Sequence, residues 1–182
     1  IEKTGATAAD GFLAAGVACG VRYEGRRDLG LLFSEETGGT AAVVVTTNVV
    51  KATPLLVTRE AVQGGNVRAV VVNSGVANAA TGMQGLEDTR KMQALAAAEL
   101  RLESEEVGVA STGVIGEHLP MDRVEAGIKE AAASLSSDGS SFAEAILTTD
   151  TRTKEAVATV EVVGEVVTVG GVAKGTGMIP PN

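Results

Sequence analysis

The chain has 182 residues, 45% hydrophobic and only 2% aromatic, with 23 glycines and a formal net charge of -8. That length and apolar content suit one core of valine, alanine and leucine and exclude a disordered chain, so a single domain over 1–182 is expected. The acidic balance, with no dense lysine or arginine cluster, argues against a nucleic-acid surface that works by neutralising phosphates. Cys19 is the one cysteine, which excludes an internal disulfide framework and suits a reducing cytosol. The apolar runs are too short to span a bilayer, so a cytoplasmic protein without membrane contact is expected.

Short β-branched runs alternate with alanine-rich stretches along the chain. Residues 41–46, 68–72 and 107–110 predict strands buried on at least one face, each followed by polar or glycine-containing turns. Between them, 88–102 place Met92, Leu95, Ala96 and Leu102 near one helical stripe, and 121–135 do so with Val124, Ile128, Ala131 and Leu135. Both predict amphipathic helices covering the sheet. Pro120 marks the start of the second helix because its missing N–H is an orphan there, and Asp122 suits the positive end of the dipole. Residues 136–141, with Asp138 and Gly139, read as a loop. Beyond Asp150, the valine-rich runs 154–163 and 165–169 predict a hairpin turned by Gly164-Glu165, which delivers Lys174. A late hairpin and irregular spacing predict an α/β fold with a mixed or antiparallel sheet.

Several chemistries are poorly supplied. With one His and one Cys, soft-ligand zinc sites are unavailable. The segment 171–176 lacks the Gly-Lys-Ser/Thr order of a phosphate loop, because Ala173 precedes Lys174 and Gly175 follows it. His118, the only imidazole, has no strand-borne nucleophile beside it and reads as a solvent-exposed loop residue. What remains is polar turns at predicted strand ends: 73–78 (Asn-Ser-Gly-Val-Ala-Asn) and 111–116 (Ser-Thr-Gly-Val-Ile-Gly). Ligands often meet α/β domains at such ends, and hydroxyls with open backbone N–H groups are what a developing oxyanion requires. Taken singly, each turn has an ordinary turn chemistry, Lys174 a surface role, and Thr148-Thr149-Asp150 a place as a helix exit or cap.

Together these pieces resemble the ornithine acetyltransferase family, the bifunctional glutamate N-acetyltransferases of arginine biosynthesis, and specifically its α chain. The resemblance begins with Gly11-Phe12 and Ala15-Gly16-Val17, then Thr47-Asn48 with Lys51-Ala52-Thr53-Pro54, and Asn73-Ser74-Gly75 with Ala77-Asn78. It continues through Ser111-Thr112-Gly113-Val114-Ile115-Gly116, Leu119-Pro120-Met121-Asp122 and Thr148-Thr149-Asp150. It closes on Lys174-Gly175-Thr176-Gly177-Met178-Ile179. Two departures stand out: Val76 where the family often has asparagine, and Ala80 where cysteine is frequent.

The resemblance implies a layered α/β sandwich of the self-cleaving ornithine acetyltransferase type. In that family the precursor cleaves its own Ala-Thr bond, and the freed threonine becomes the N-terminal nucleophile of a β chain. The glycine-rich approach to Pro180-Pro181-Asn182 then reads as the end of a fragment, with the β chain following Asn182. Likewise, a start at Ile1 suggests that a few residues are missing in front. Carried over by position, Thr112 and Gly113 would be the oxyanion-hole pair, through hydroxyl and backbone N–H. Lys174 and Thr148 would bind substrate; the spacing leaves Thr148 and Thr149 open, with Thr148 favoured. The implied reaction is ping-pong transfer of acetyl from N-acetylornithine to glutamate, with no metal or organic cofactor. Acetyl-CoA is a donor in some members, and an α2β2 heterotetramer is the implied assembly. The competing readings are a non-catalytic module binding a small anionic metabolite and a self-cleaving aminopeptidase-like relative.

Overall fold

The computed structural model describes residues 5–175 of the chain. Its main sheet has four strands in the order β1-β2-β3-β4: β1 (Phe12–Val17), β2 (Leu29–Ser34), β3 (Ala69–Val76) and β4 (Val107–Val114). β1 pairs with β2 and β2 with β3 antiparallel, whereas β3 and β4 run parallel, so the sheet is mixed. The parallel pair needs a crossover, which the long helix α2 (Gly82–Leu100) supplies. Helices α1 (Thr53–Gln63) and α3 (Met121–Ala133) join α2 on one face. The short α4 (Ser140–Ala145) packs on the other, against Ala14 and Val72.

The core lies mostly between the sheet and the three-helix face. Leu29, Leu31 and Val71 from the strands meet Met92, Val124 and Ile128 from the helices, all at most 1% exposed. Burying each such leucine or isoleucine contributes about 2 kcal/mol. The helical stripes read from the sequence hold for Met92 and Ala96 on α2 and for Val124, Ile128 and Ala131 on α3; Leu95 is half-buried, and Leu102 and Leu135 pack against the core from beyond the helix ends. Pro120 caps α3 and Asp122 sits in its first turn, as the start signals require. On the opposite face the contact is closer. A Cβ on Gly16 of β1 would lie 1.9 Å from the Ser141 carbonyl oxygen, so α4 can rest on β1 only because that position has no side chain.

A separate two-stranded sheet is formed by β5 (Lys154–Val162) and β6 (Glu165–Ala173), paired antiparallel as the expected hairpin. Its reversal falls on Val163 and Gly164, one residue earlier than Gly164-Glu165, with φ of 54 and 83. That pair of positive φ values is the twist-matched geometry of a two-residue hairpin turn.

Three expectations need correction. Residues 41–46 form no strand: they run along the surface with Val44 fully exposed and the Ala41 N–H bonded to the Gly65 carbonyl 3.1 Å away. Their β-branched composition is that of a strand, but among the described residues no strand pairs with them. The stretches 73–78 and 111–116 are not wholly turns, because β3 continues to Val76 and β4 to Val114. Residues 136–141 are a loop only in part, since α4 begins at Ser140. The ending 176–182 lies outside the described residues. Among the described residues no helix is long and apolar enough to cross a membrane.

Candidate active site

The parallel pairing of β3 and β4 carries the two polar segments forward side by side. Asn73 lies opposite Ser111, Ser74 opposite Thr112, and Gly75 opposite Gly113. Gly113 has φ +139, and a Cβ there would stand 2.2 Å from the Gly75 carbonyl carbon. Only glycine occupies that conformation in that space without displacing β3. One pair before its end the parallel ladder is therefore a contact of bare backbones, and Thr112 is held immediately before it. Val76, where the family often carries asparagine, is 2% exposed and packs in the core.

Lys174 follows directly on β6, and its ammonium donates to the Thr112 hydroxyl at 2.6 Å and to the Thr148 hydroxyl at 3.1 Å. Thr148 stands two residues past Ile146, where α4 ends. Side chains from the sheet, from a helix exit and from the hairpin thus meet at one cation. Thr112 and Lys174 border a cavity of about 280 Å³ lined, apart from Ser111, by apolar groups such as Val70, Val72, Phe142 and Ile146. Partial burial pushes the Lys174 ammonium below its ordinary range, opposed by the charge of Asp150 and reinforced by that of Lys154.

Asp150 is the member of this cluster that sequence reasoning did not single out. Its carboxylate accepts from the Lys154 ammonium, from the Gly175 backbone N–H at 2.7 Å and from the Thr148 backbone N–H at 3.5 Å. Chiefly through the Lys154 hydrogen bond, its carboxyl is held down at about 2.

The structure brings Thr112, Gly113, Thr148 and Lys174 to one place. His118 lies apart, half-exposed in a loop with Nδ1 3.9 Å from the Asp88 carboxylate. Cys19 lies in the β1–β2 loop, where burial and the neighbouring Asp28 push its thiol up to about 12. A larger cleft of about 700 Å³ adjoins the cluster and shares Asp150; of its two arginines, Arg27 is paired with Glu144 and Arg26 donates to the Leu147 carbonyl at 2.8 Å. Among the described residues no three His, Cys, Asp or Glu side chains gather as metal ligands.

Comparison with known proteins gives the same fold and the same company. The model of the ArgJ family matches residues 13–182. The arginine biosynthesis bifunctional protein ArgJ of Symbiobacterium thermophilum is 52% identical over 98% of this chain and 45% of its own length. Its namesake from Thermotoga neapolitana is 52% identical over 94% and 43%. The chain thus spans less than half the length of these curated relatives. Among solved structures, arginine biosynthesis bifunctional protein argJ of Bacillus halodurans superposes with a TM-score of 0.91 at 45% identity, over 100% of this chain and 95% of that one. Ornithine acetyltransferase of Mycobacterium tuberculosis, complexed with ornithine, does so with a TM-score of 0.91 at 40% identity, over 100% and 97%. Sequence match, identity and shared mixed α/β architecture agree: this chain belongs to the ArgJ family.

Proposed function

We propose that this chain supplies the oxyanion-stabilising and substrate-holding wall of an acetyltransferase that moves the acetyl group of N-acetylornithine to glutamate. The observation that carries this reading is the Lys174 ammonium shared between the Thr112 and Thr148 hydroxyls. Because the lysine donates, Thr112 accepts at its oxygen and keeps its own proton to donate outward. With the Gly113 N–H beside it, that proton would face the oxygen that becomes negative when an acetyl carbonyl is attacked. One well-placed donor of this kind contributes about 3 kcal/mol. The apolar cavity next to it suits methyl and methylene groups, and Lys174 with Thr148 would grip the substrate carboxylate.

The nucleophile in this scheme is the N-terminal threonine of a β chain released from the same precursor at a bond beyond Asn182. That assignment accords with the length of the ArgJ relatives, which is more than twice the part matched here. The threonine hydroxyl attacks the acetyl carbonyl, with its own α-amine taking the proton, and the tetrahedral intermediate expels the amine of ornithine. Glutamate then attacks the acetyl-threonine and leaves as N-acetylglutamate, restoring the hydroxyl. No metal or organic cofactor takes part, acetyl-CoA is an alternative donor, and the working unit is a cytoplasmic α2β2 assembly.

The test is Thr112→Ala in the full-length protein. Acetyl transfer should fall by about tenfold or more, as for loss of one oxyanion donor. Unchanged turnover removes Thr112 from the mechanism and with it the main support for this reading.

A further inference from the structure

The four residues that the resemblance singles out are not self-supporting. Lys174 sits at the end of a hairpin whose strands are largely exposed, and Thr148 in a segment that has already left its helix. A long flexible amine and a hydroxyl on such supports need something fixed to hold their backbones. Asp150 lies between them with a fully buried side chain. One of its oxygens takes the Gly175 N–H, the peptide directly after Lys174, and also takes Lys154 from the first residue of β5. Its other oxygen faces the Thr148 N–H.

We infer that Asp150 is a positioning residue that clamps the backbones of Thr148 and Gly175 to one carboxylate and so sets where the Lys174 ammonium stands between Thr112 and Thr148. This rests on the reading of Lys174 and Thr148 as substrate-holding groups. Lys154 has a defined part in the clamp: it neutralises a carboxylate that is otherwise buried, leaving Lys174 unpaired by Asp150 and its charge available for a substrate anion. No hydrogen bond joins Lys174 to Asp150 among the described residues, so the two cations divide the labour. Lys154 satisfies the carboxylate, and Lys174 faces the hydroxyls.

The experiment uses the mature full-length enzyme carrying Asp150→Ala, Asp150→Asn, Lys174→Ala and the double change Asp150→Ala/Lys174→Ala. Asp150→Ala should raise KM for N-acetylornithine by about tenfold or more, as misplacement of a binding group does, with a smaller change in kcat. Asp150→Asn, which keeps an acceptor oxygen but loses the charge, should fall between it and the unaltered enzyme. In the Lys174→Ala background the Asp150→Ala effect on KM should shrink to the part that Thr148 carries. An effect that persists undiminished there means that Asp150 does not act through Lys174, and the inference fails.

A second readout does not depend on catalysis. In protein labelled with carbon-13 at lysine Cε, the titration of Lys174 should move to lower pH in Asp150→Asn, because the one negative charge that raises it is gone. An unmoved titration also overturns the inference. If Lys174→Ala itself leaves KM unchanged, the substrate-holding reading fails instead, and the clamp is then judged by whether the Gly175 amide exchanges with solvent faster in Asp150→Ala. Should Asp150→Ala not fold, Asp150→Asn carries both measurements.

Discussion

Gly113→Ala tests the geometry on which the site is built. The new Cβ would fall 2.2 Å from the Gly75 carbonyl carbon, 2.4 Å from its oxygen and 2.6 Å from the Val76 nitrogen, all of them backbone atoms that cannot rotate away. Holding alanine at φ +139 costs on the order of 1–3 kcal/mol, and overpacking against the neighbouring strand about as much again. A combined penalty of about 3 kcal/mol is too large for the ladder to absorb, so β4 must move away from β3 at Thr112. In the full-length enzyme the thermal midpoint should fall by roughly 5 °C or more, and acetyl transfer should fall by at least about tenfold as the donor is displaced. Gly171→Ala is the matched control, since a Cβ there meets nothing nearer than the Ala156 carbonyl oxygen at 3.9 Å. If Gly113→Ala keeps both the thermal midpoint and the turnover of the unaltered protein, the close contact of the two backbones is refuted.

Other outcomes follow from the loop between β1 and β2. Asp28 is fully buried and accepts the backbone N–H groups of Cys19, Gly20 and Val21 at 2.9, 3.3 and 2.6 Å. Asp28→Ala strands three donors and should cost about 3 kcal/mol in denaturant unfolding; a loss below about 1 kcal/mol would show the loop to be held by something else. Cys19, whose thiol is pushed up to about 12, should stay protonated through neutral pH and react with alkylating agents only as the pH climbs toward that value. Labelling in the native protein at neutral pH as fast as that of a free cysteine would contradict its burial beside Asp28. Asp150, held down at about 2 against an ordinary 3.8, stabilises the folded chain above its ordinary value, and that contribution is lost as pH falls through about 2. The acid limb of unfolding should therefore be shallower in Asp150→Asn, and an identical limb would contradict the Lys154 pairing.

What the sequence disclosed depended on whether a residue answers to local pattern or to a distant neighbour. The helices α2 and α3 and the β5–β6 hairpin show themselves through apolar periodicity and a glycine at the reversal, all contained within the segment. β1 and β2 do not, because Gly16 answers to the backbone of α4 some 125 residues later, and alanine and glycine in a strand resemble no strand pattern. α1 was missed although Pro54 marks its first turn and Val57 and Ala61 its buried face. In 41–46 the error ran the other way: valines gave a strand signal where no partner strand stands. The candidate residues Thr112, Gly113, Thr148 and Lys174 come through resemblance, and the meeting of the two threonine hydroxyls at the Lys174 ammonium is a fact of three dimensions. Asp150 was visible as the end of Thr148-Thr149-Asp150, but its partners Lys154 and Gly175 are brought together only at the open end of the hairpin, from its two different strands.

The cluster around Lys174 is closed by hydrogen bonds that span 26 and 62 residues of chain, and this long reach orders events during folding. Loops of that size are costly to close early, so the sheet and the hairpin must each be largely in place before the ammonium can find either hydroxyl. The assembled cluster is in that sense a late signature of folding: a molecule with a misregistered ribbon or an unfinished sheet lacks it.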